Sequence, residues 1–150
     1  MNLNVEIISA SETIDLRSRV LRPGLPTELS VFEGDQDPST IHLGLRDSLT
    51  NKIVCNGTLM INVCSYFPEF QNAYRLRGMA TDPAFQQKGL GKILITAAEN
   101  LLKQKQIPFF WFNARQSAFG FYEKCGYQMI GELFDIPTVG AHKVMYKILK

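Results

Sequence analysis

The stretch Met79-Ala80-Thr81-Asp82-Pro83-Ala84-Phe85-Gln86-Gln87-Lys88-Gly89-Leu90-Gly91-Lys92 constrains the fold more than any other part of the chain. It reads as a strand, a proline-marked turn and a glycine-spaced loop that opens a long amphipathic helix. Leu90, Ile93, Leu94, Ala97, Ala98, Leu101 and Leu102 recur at helical spacing and predict one apolar stripe. Ile107 to Phe112 follows as a short, continuously apolar segment, the pattern of a buried central strand. Strand 74–81, helix 89–105 and strand 107–112 therefore make a βαβ unit with parallel strands and a right-handed crossover. The loop also has a chemical consequence. Its backbone N–H groups converge at the positive end of the helix dipole, a seat for phosphate or pyrophosphate. Gly89 and Gly91 let an anion approach without Cβ obstruction, and Lys88 and Lys92 add positive charge.

The other segments build a mixed sheet around this unit. Leu3 to Ile8 alternates as a first strand, and Ser9 or Ser11 caps a helix carrying Ile14, Leu16, Val20 and Leu21. Arg22-Pro23-Gly24 ends that helix. Residues 22–39 read as an irregular loop with a short helical turn near Leu29–Phe32, and a loop this long in a small domain is functional or mobile. Segments 41–46 and 53–63 form an antiparallel pair turned at Thr50-Asn51-Lys52. Residues 117–125 form a short helix closed by Gly126, and 127–134 and 142–149 are the last two strands. Gly78, inside a strand, marks a bulge or close backbone approach, or relieves a packing clash.

Composition excludes several classes. A chain of 150 residues with 45% hydrophobic and 20% charged residues suits one globular domain spanning 1–150. A formal net charge of +2 is too small to argue for nucleic acid or a membrane surface. No apolar run approaches the ~20 residues of a membrane span. Cys55, Cys64 and Cys125 are odd in number and lack metal-ligand spacing, so no metal site and a reduced, cytoplasmic setting are expected.

Two motifs, in order, carry a resemblance over residues 74–127. Gln86-x-x-Gly89-x-Gly91, preceded by Thr81-Asp82-Pro83, resembles the acetyl-CoA pyrophosphate loop of the GNAT superfamily of N-acetyltransferases. Asn113-Ala114-Arg115 and then Ala118-Phe119-Gly120-Phe121-Tyr122-Glu123-Lys124-Cys125-Gly126-Tyr127 resembles that superfamily's second motif, Ala-x-x-Phe-Tyr-x-x-x-Gly-Phe. The resemblance implies a GNAT-like acyl-CoA N-acyltransferase fold, an α/β domain whose central mixed sheet is flanked by helices. It implies acetyl transfer from acetyl-CoA to a primary amine of a small molecule or chain end, by direct attack. Met79, Ala80 and Thr81 would line the pantetheine arm, and Gln86, Gln87, Lys88, Gly89, Leu90, Gly91 and Lys92 would hold the pyrophosphate. Asn113, just past the second central strand, would reach the pantetheine arm or be a plain turn residue. Tyr122 would protonate the departing thiolate. The ordinary tyrosine pKa of about 10 keeps it protonated at neutral pH. Without the motif it reads as one more core aromatic beside Phe119, Phe121 and Tyr127.

Many relatives carry a glutamate on the strand equivalent to 74–81 to deprotonate the amine; this chain reads Tyr74-Arg75-Leu76-Arg77-Gly78-Met79. Alternation puts Arg75, Arg77 and Met79 on one face. Either arginine would clamp a substrate carboxylate or phosphate, or pair with an acid such as Glu33 or Asp35. Glu33 and His142 are further candidates for handling the acceptor amine; their simpler readings are a flexible acidic turn and a solvent-facing histidine. The missing carboxylate keeps a second function in view, a catalytically weak acyl-CoA-binding regulatory or sensor module. A P-loop nucleotide enzyme is disfavoured, because Ile93 stands where its Ser or Thr would bind magnesium. The acceptor's identity is not written in the sequence, and a homodimer is compatible with it.

Overall fold

The computed structural model describes residues 2–150. Seven strands lie in one mixed sheet: β1 (Leu3–Ile8), β2 (Ile41–Asp47), β3 (Lys52–Ile61), β4 (Ala73–Thr81), β5 (Phe109–Arg115), β6 (Gln128–Ile136) and β7 (Gly140–Ile148). Their order is β1-β2-β3-β4-β5-β7-β6. β1 and β2 pair antiparallel, as do β2 and β3. β4 and β5 pair in parallel, and β7 runs antiparallel to both β5 and β6. The helices are α1 (Ile14–Leu16), α2 (Leu90–Gln104) and α3 (Phe119–Lys124). This is the α/β architecture expected from the sequence. No helix among the described residues is long and apolar enough to cross a membrane.

Most strand ends shift from expectation by one or two residues, and three segments differ further in extent or type. The central strand begins at Phe109 and runs on to Arg115. Gln106 adopts a left-handed φ of 60°, and the Ile107 N–H closes back on Leu102 O at 2.9 Å. Ile107 therefore belongs to the helix ending, and Pro108, with no N–H, cannot join the ladder as a donor. The first helix is composite: a 3₁₀ turn over Ala10–Thr13, the short α1, and a π turn over Arg17–Leu21. The turn in the long loop is a 3₁₀ turn at Thr27–Ser30, slightly earlier than expected.

Contacts divide the chain into two compact units, Met1–Met60 with Leu76–Leu101 and Ile61–Arg75 with Leu102–Lys150. In the first, Leu43, Leu45, Val54, Leu59, Leu76, Leu94, Ile95 and Ala98 are buried. Ile95 stands in the stripe where the sequence favoured Ile93, which is 43% exposed. At about 100° per residue, the buried arc is centred between Leu94 and Ile95, which leaves Ile93 outside it. In the second unit, Cys64, Ala73, Phe109, Trp111 and Val144 form the core. Phe70 and Tyr146 stack on Phe109 and Phe67 meets it tilted, with ring centroids 4.8–5.7 Å away. Strand alternation sends Phe110 and Phe112 to the opposite face, where they meet Tyr127, and Phe112 also meets Tyr122.

Candidate active site

The glycine loop has the geometry of an anion seat. Gln87 (φ 62°) and Gly89 (φ 79°) are both left-handed, so the loop backbone curls before the helix begins. The first α2 bond runs from Ile93 N to Gly89 O at 3.2 Å. The N–H groups of Leu90, Gly91 and Lys92 therefore precede the helical ladder and point out of its N-terminus. Leu90 is buried and anchors that end, while Lys88 and Lys92 are exposed beside it. Gly91 is an ordinary helical residue without positive φ. Gln86 is spoken for: its Nε2 donates to Thr81 O at 3.2 Å, tying the loop to the end of β4. Asp82 fixes the turn by accepting from Ala84 N at 2.9 Å and from Arg19 at 3.0 Å. Those two donors hold its carboxyl below the usual range, the Ala84 N–H foremost.

β4 changes character at Gly78. Its ladder with β5 covers only Ala73↔Phe109, Tyr74↔Phe110 and Arg75↔Trp111. Past Arg75 the strand continues to Thr81, with no β5 partner among the described residues. Gly78 has φ 63°, and a Cβ there would meet the Phe32 ring at 2.9 Å and Arg17 Nε at 3.0 Å. Asn56 Nδ2 donates to Gly78 O at 3.3 Å. Both readings of Gly78 thus hold: the backbone is irregular and the space is full. The irregularity overturns the predicted alternation. Leu76 and Met79 both face the apolar layer with Leu59 and Leu94, so Met79 does not share a face with Arg77. Ala80 is buried, and Thr81 Oγ1 donates to Cys55 Sγ at 3.3 Å.

The two arginines part company. Arg75 lies over the Trp111 ring at 5.1 Å, while Trp111 Nε1 donates to Asn62 O at 2.8 Å. Arg77 lies over Phe32 at 4.6 Å. Asp35 pairs with neither. Its carboxylate takes Arg17 Nη1 at 2.7 Å, Arg17 Nη2 at 3.0 Å and Phe32 N at 2.9 Å. Arg17 also donates to Ser30 O at 3.0 Å and Thr58 Oγ1 at 2.7 Å, and its guanidinium stacks on Phe32 at 3.8 Å. His42 completes the cluster: Nε2 meets Asp35 O at 3.0 Å and Nδ1 meets Thr58 Oγ1 at 2.8 Å. Because a carbonyl only accepts, Nε2 carries a proton toward Asp35 O. Sequence reasoning missed Arg17, Phe32 and Thr58. One signal was available: Arg17 sits between Ile14 and Val20 at helical spacing, a charge on an apolar stripe.

In the second unit Tyr122 is half-buried on α3, its ring 4.4 Å from Phe112 and 5.0 Å from Phe121. Asn113 lies inside β5 opposite Val144 rather than past the strand end. Alternation puts it on the Phe109–Trp111 face, away from Phe112 and Tyr122. His142 is buried, not solvent-facing. Its Nδ1 donates to Gly140 O at 2.7 Å, and its ring stacks on Phe134. Glu33 is exposed and makes no ion pair among the described residues. No group of three or more metal-binding side chains occurs among the described residues.

Comparison with known proteins follows the same lines. Residues 40–129 match the model of the acetyltransferase (GNAT) domain. The uncharacterized N-acetyltransferase YitI of Bacillus subtilis (strain 168) is 38% identical over 99% of this chain and 97% of its own length. A structure from Lactobacillus plantarum, described as an N-acetyltransferase, superposes with a TM-score of 0.81 over the whole of both chains, at 20% identity. An aminoglycoside 6'-N-acetyltransferase in complex with coenzyme A superposes with a TM-score of 0.76, at 12% identity, over 97% of this chain and 96% of that one.

Proposed function

The chain belongs to the GNAT family of N-acetyltransferases, and from that premise we propose that residues 1–150 act as one catalytic domain moving an acetyl group from acetyl-CoA to a primary amine. The observation that carries this reading is the curled loop 86–89 with three unladdered N–H groups behind it, at the end of a strand whose edge is unpaired past Arg75. An anionic pyrophosphate fits such a loop, and an extended amide-bearing arm fits such an edge. Gln87 to Lys92 hold the pyrophosphate by backbone N–H groups, with Lys88 and Lys92 adding charge. Met79, Ala80 and Thr81 offer the pantetheine amides the pairing that β5 no longer supplies.

Acetyl-CoA brings a thioester whose C–S bond breaks as a C–N bond forms, while the amine loses one proton and the sulfur gains one. Backbone N–H groups at the irregular part of β4, around Met79 to Thr81, oppose negative charge growing on the thioester oxygen. Tyr122 gives the sulfur its proton. No carboxylate on β4 receives the amine's proton, so water, Glu33 or His142 takes it; the tautomer of His142 makes Nε2 its basic nitrogen. Three unbridged cysteines support a reducing, cytoplasmic setting.

The reading predicts that acetyl-CoA raises the melting temperature and slows amide exchange in residues 86–92. Absence of both effects overturns it. Gly89→Val sharpens the test. A Cβ at Gly89 meets no protein atom within 4 Å, so its cost is the left-handed φ of 79° and the anion it would crowd. Acetyl-CoA affinity should fall about 10- to 100-fold, matching backbone strain of ~1–3 kcal/mol expressed in the loop. Isothermal titration reads this directly, and unchanged affinity would remove the pyrophosphate from this loop.

A further inference from the structure

Arg77 is half-buried, and its guanidinium rests on the Phe32 ring without an ion-pair partner among the described residues. The carboxylate that could neutralise it, Asp35, is 5% exposed and fully engaged by Arg17 and the Phe32 N–H. The ring under Arg77, 4.6 Å from its Cζ, supplies no oxygen acceptor to the guanidinium donors. The five N–H donors of a guanidinium need oxygen acceptors, and no ion pair among the described residues supplies one to Arg77. Burial and repulsion from Arg17 both disfavour the charged form of Arg77, Asp35 offsets them in part, and Arg22 adds further repulsion. The surroundings thus hold an excess of positive charge, one residue before Gly78 and close along the strand to Met79–Thr81, where the thioester is proposed to sit.

Resting on the acetyl-transfer reading above, we propose that Arg77, backed by Phe32, binds an oxyanion of the acceptor, so that the acceptor is an amine carrying its own carboxylate or phosphate. The planar fork of in-plane donors suits bidentate docking of such a group. The same excess charge repels an acceptor with several cationic amines. Acetylation removes the charge of the reacting amine and leaves the anion in place, so the product keeps this contact. Arg17 is the positioning residue: it stacks on Phe32 at 3.8 Å and locks Asp35, leaving Arg77 unneutralised.

The test uses the whole chain saturated with CoA and titrated calorimetrically with products. The probes are a panel of N-acetyl amino acids, the matching carboxamides and N-acetyl-O-phosphoethanolamine. The wild type should bind the acids, or the phosphate, about 10- to 100-fold more tightly than the amides, the scale of losing hydrogen bonds to a charged group. Tighter binding of the acids assigns a carboxylate, and of the phosphate compound a phosphate. Arg77→Gln should abolish the preference while leaving CoA affinity within about twofold. Equal binding of acids, phosphate and amides by the wild type overturns the proposal, and needs no variant to fold. It is also overturned if Arg77→Gln keeps the preference; a concurrent loss of CoA affinity would then assign Arg77 to the cofactor's own phosphate. Failure of the acetyl-transfer reading shows separately, as no thiol release from acetyl-CoA with any free amine, while the titration still reads anion preference.

Discussion

Tyr122→Phe should lower the rate of acetyl transfer by about 10²-fold or more, the scale of losing a general acid, and should leave acetyl-CoA affinity within about twofold. The substitution is narrow. The phenyl ring keeps its packing on Phe112 at 4.4 Å and on Phe121 at 5.0 Å, so α3 stays seated and only the hydroxyl goes. The measurement is single-turnover thiol release, which isolates the chemical step from product release. A CoA titration and a thermal melt check binding and fold. An unchanged single-turnover rate would return Tyr122 to the aromatic cluster it shares with Phe112 and Tyr127, and would move the proton source to water. A rate loss accompanied by an equal loss of CoA affinity would mean that the hydroxyl binds and does not protonate.

The segments that carried their own local signal were legible in the chain. The helix at 90–104, the loop before it and the strands around it follow from apolar spacing, glycine placement and turn chemistry, all of which act within a few residues. Gly78 was legible as a disturbance, but its direction was not. A single left-handed residue inverts the side-chain alternation after it, and that is why Met79 joined Leu76 on the apolar face. Pro108 and the left-handed Gln106 moved the start of β5 by two residues in the same way. The buried cluster around Arg17 was less legible because its partners are far apart in sequence. Arg17 and Asp35 are 18 residues apart, and Arg17 and Thr58 are 41 apart. Nothing in local periodicity distinguishes Asp35, which is locked to Arg17, from Glu33, which is exposed two residues earlier. His142 shows the same limit: the loop before it was visible, but its burial against Phe134 comes from β6.

Arg17→Met should destabilise the protein by about 3–5 kcal/mol, because it leaves a buried carboxylate without its counter-charge. Arg17 is 0% exposed, and its guanidinium satisfies Asp35, Ser30 O and Thr58 at once. Burial by itself pushes the Asp35 carboxyl up, but the Arg17 hydrogen bonds, the Phe32 N–H and the Arg17 charge together bring it below the ordinary range. The sign of the pH effect follows. Asp35 is ionised more readily folded than unfolded, so its contribution is fully present above the unfolded carboxyl value of about 3.9 and is lost as pH falls through the lower folded value. In Arg17→Met that acid-side contribution should shrink, and stability should fall most near neutral pH, where the unpaired carboxylate is charged. Asp35→Leu alone should also be costly, whereas the double variant Arg17→Met/Asp35→Leu should lose clearly less than the two single losses added together. Urea melts at pH 4 and pH 7 on the four proteins give the cycle. A loss below about 1 kcal/mol for Arg17→Met, or strict additivity in the double variant, would mean the pair is not a coupled buried unit. Phe32 hangs on this pair through its N–H and its ring, so milder variants that still fold should show a raised acceptor KM before any change in CoA affinity.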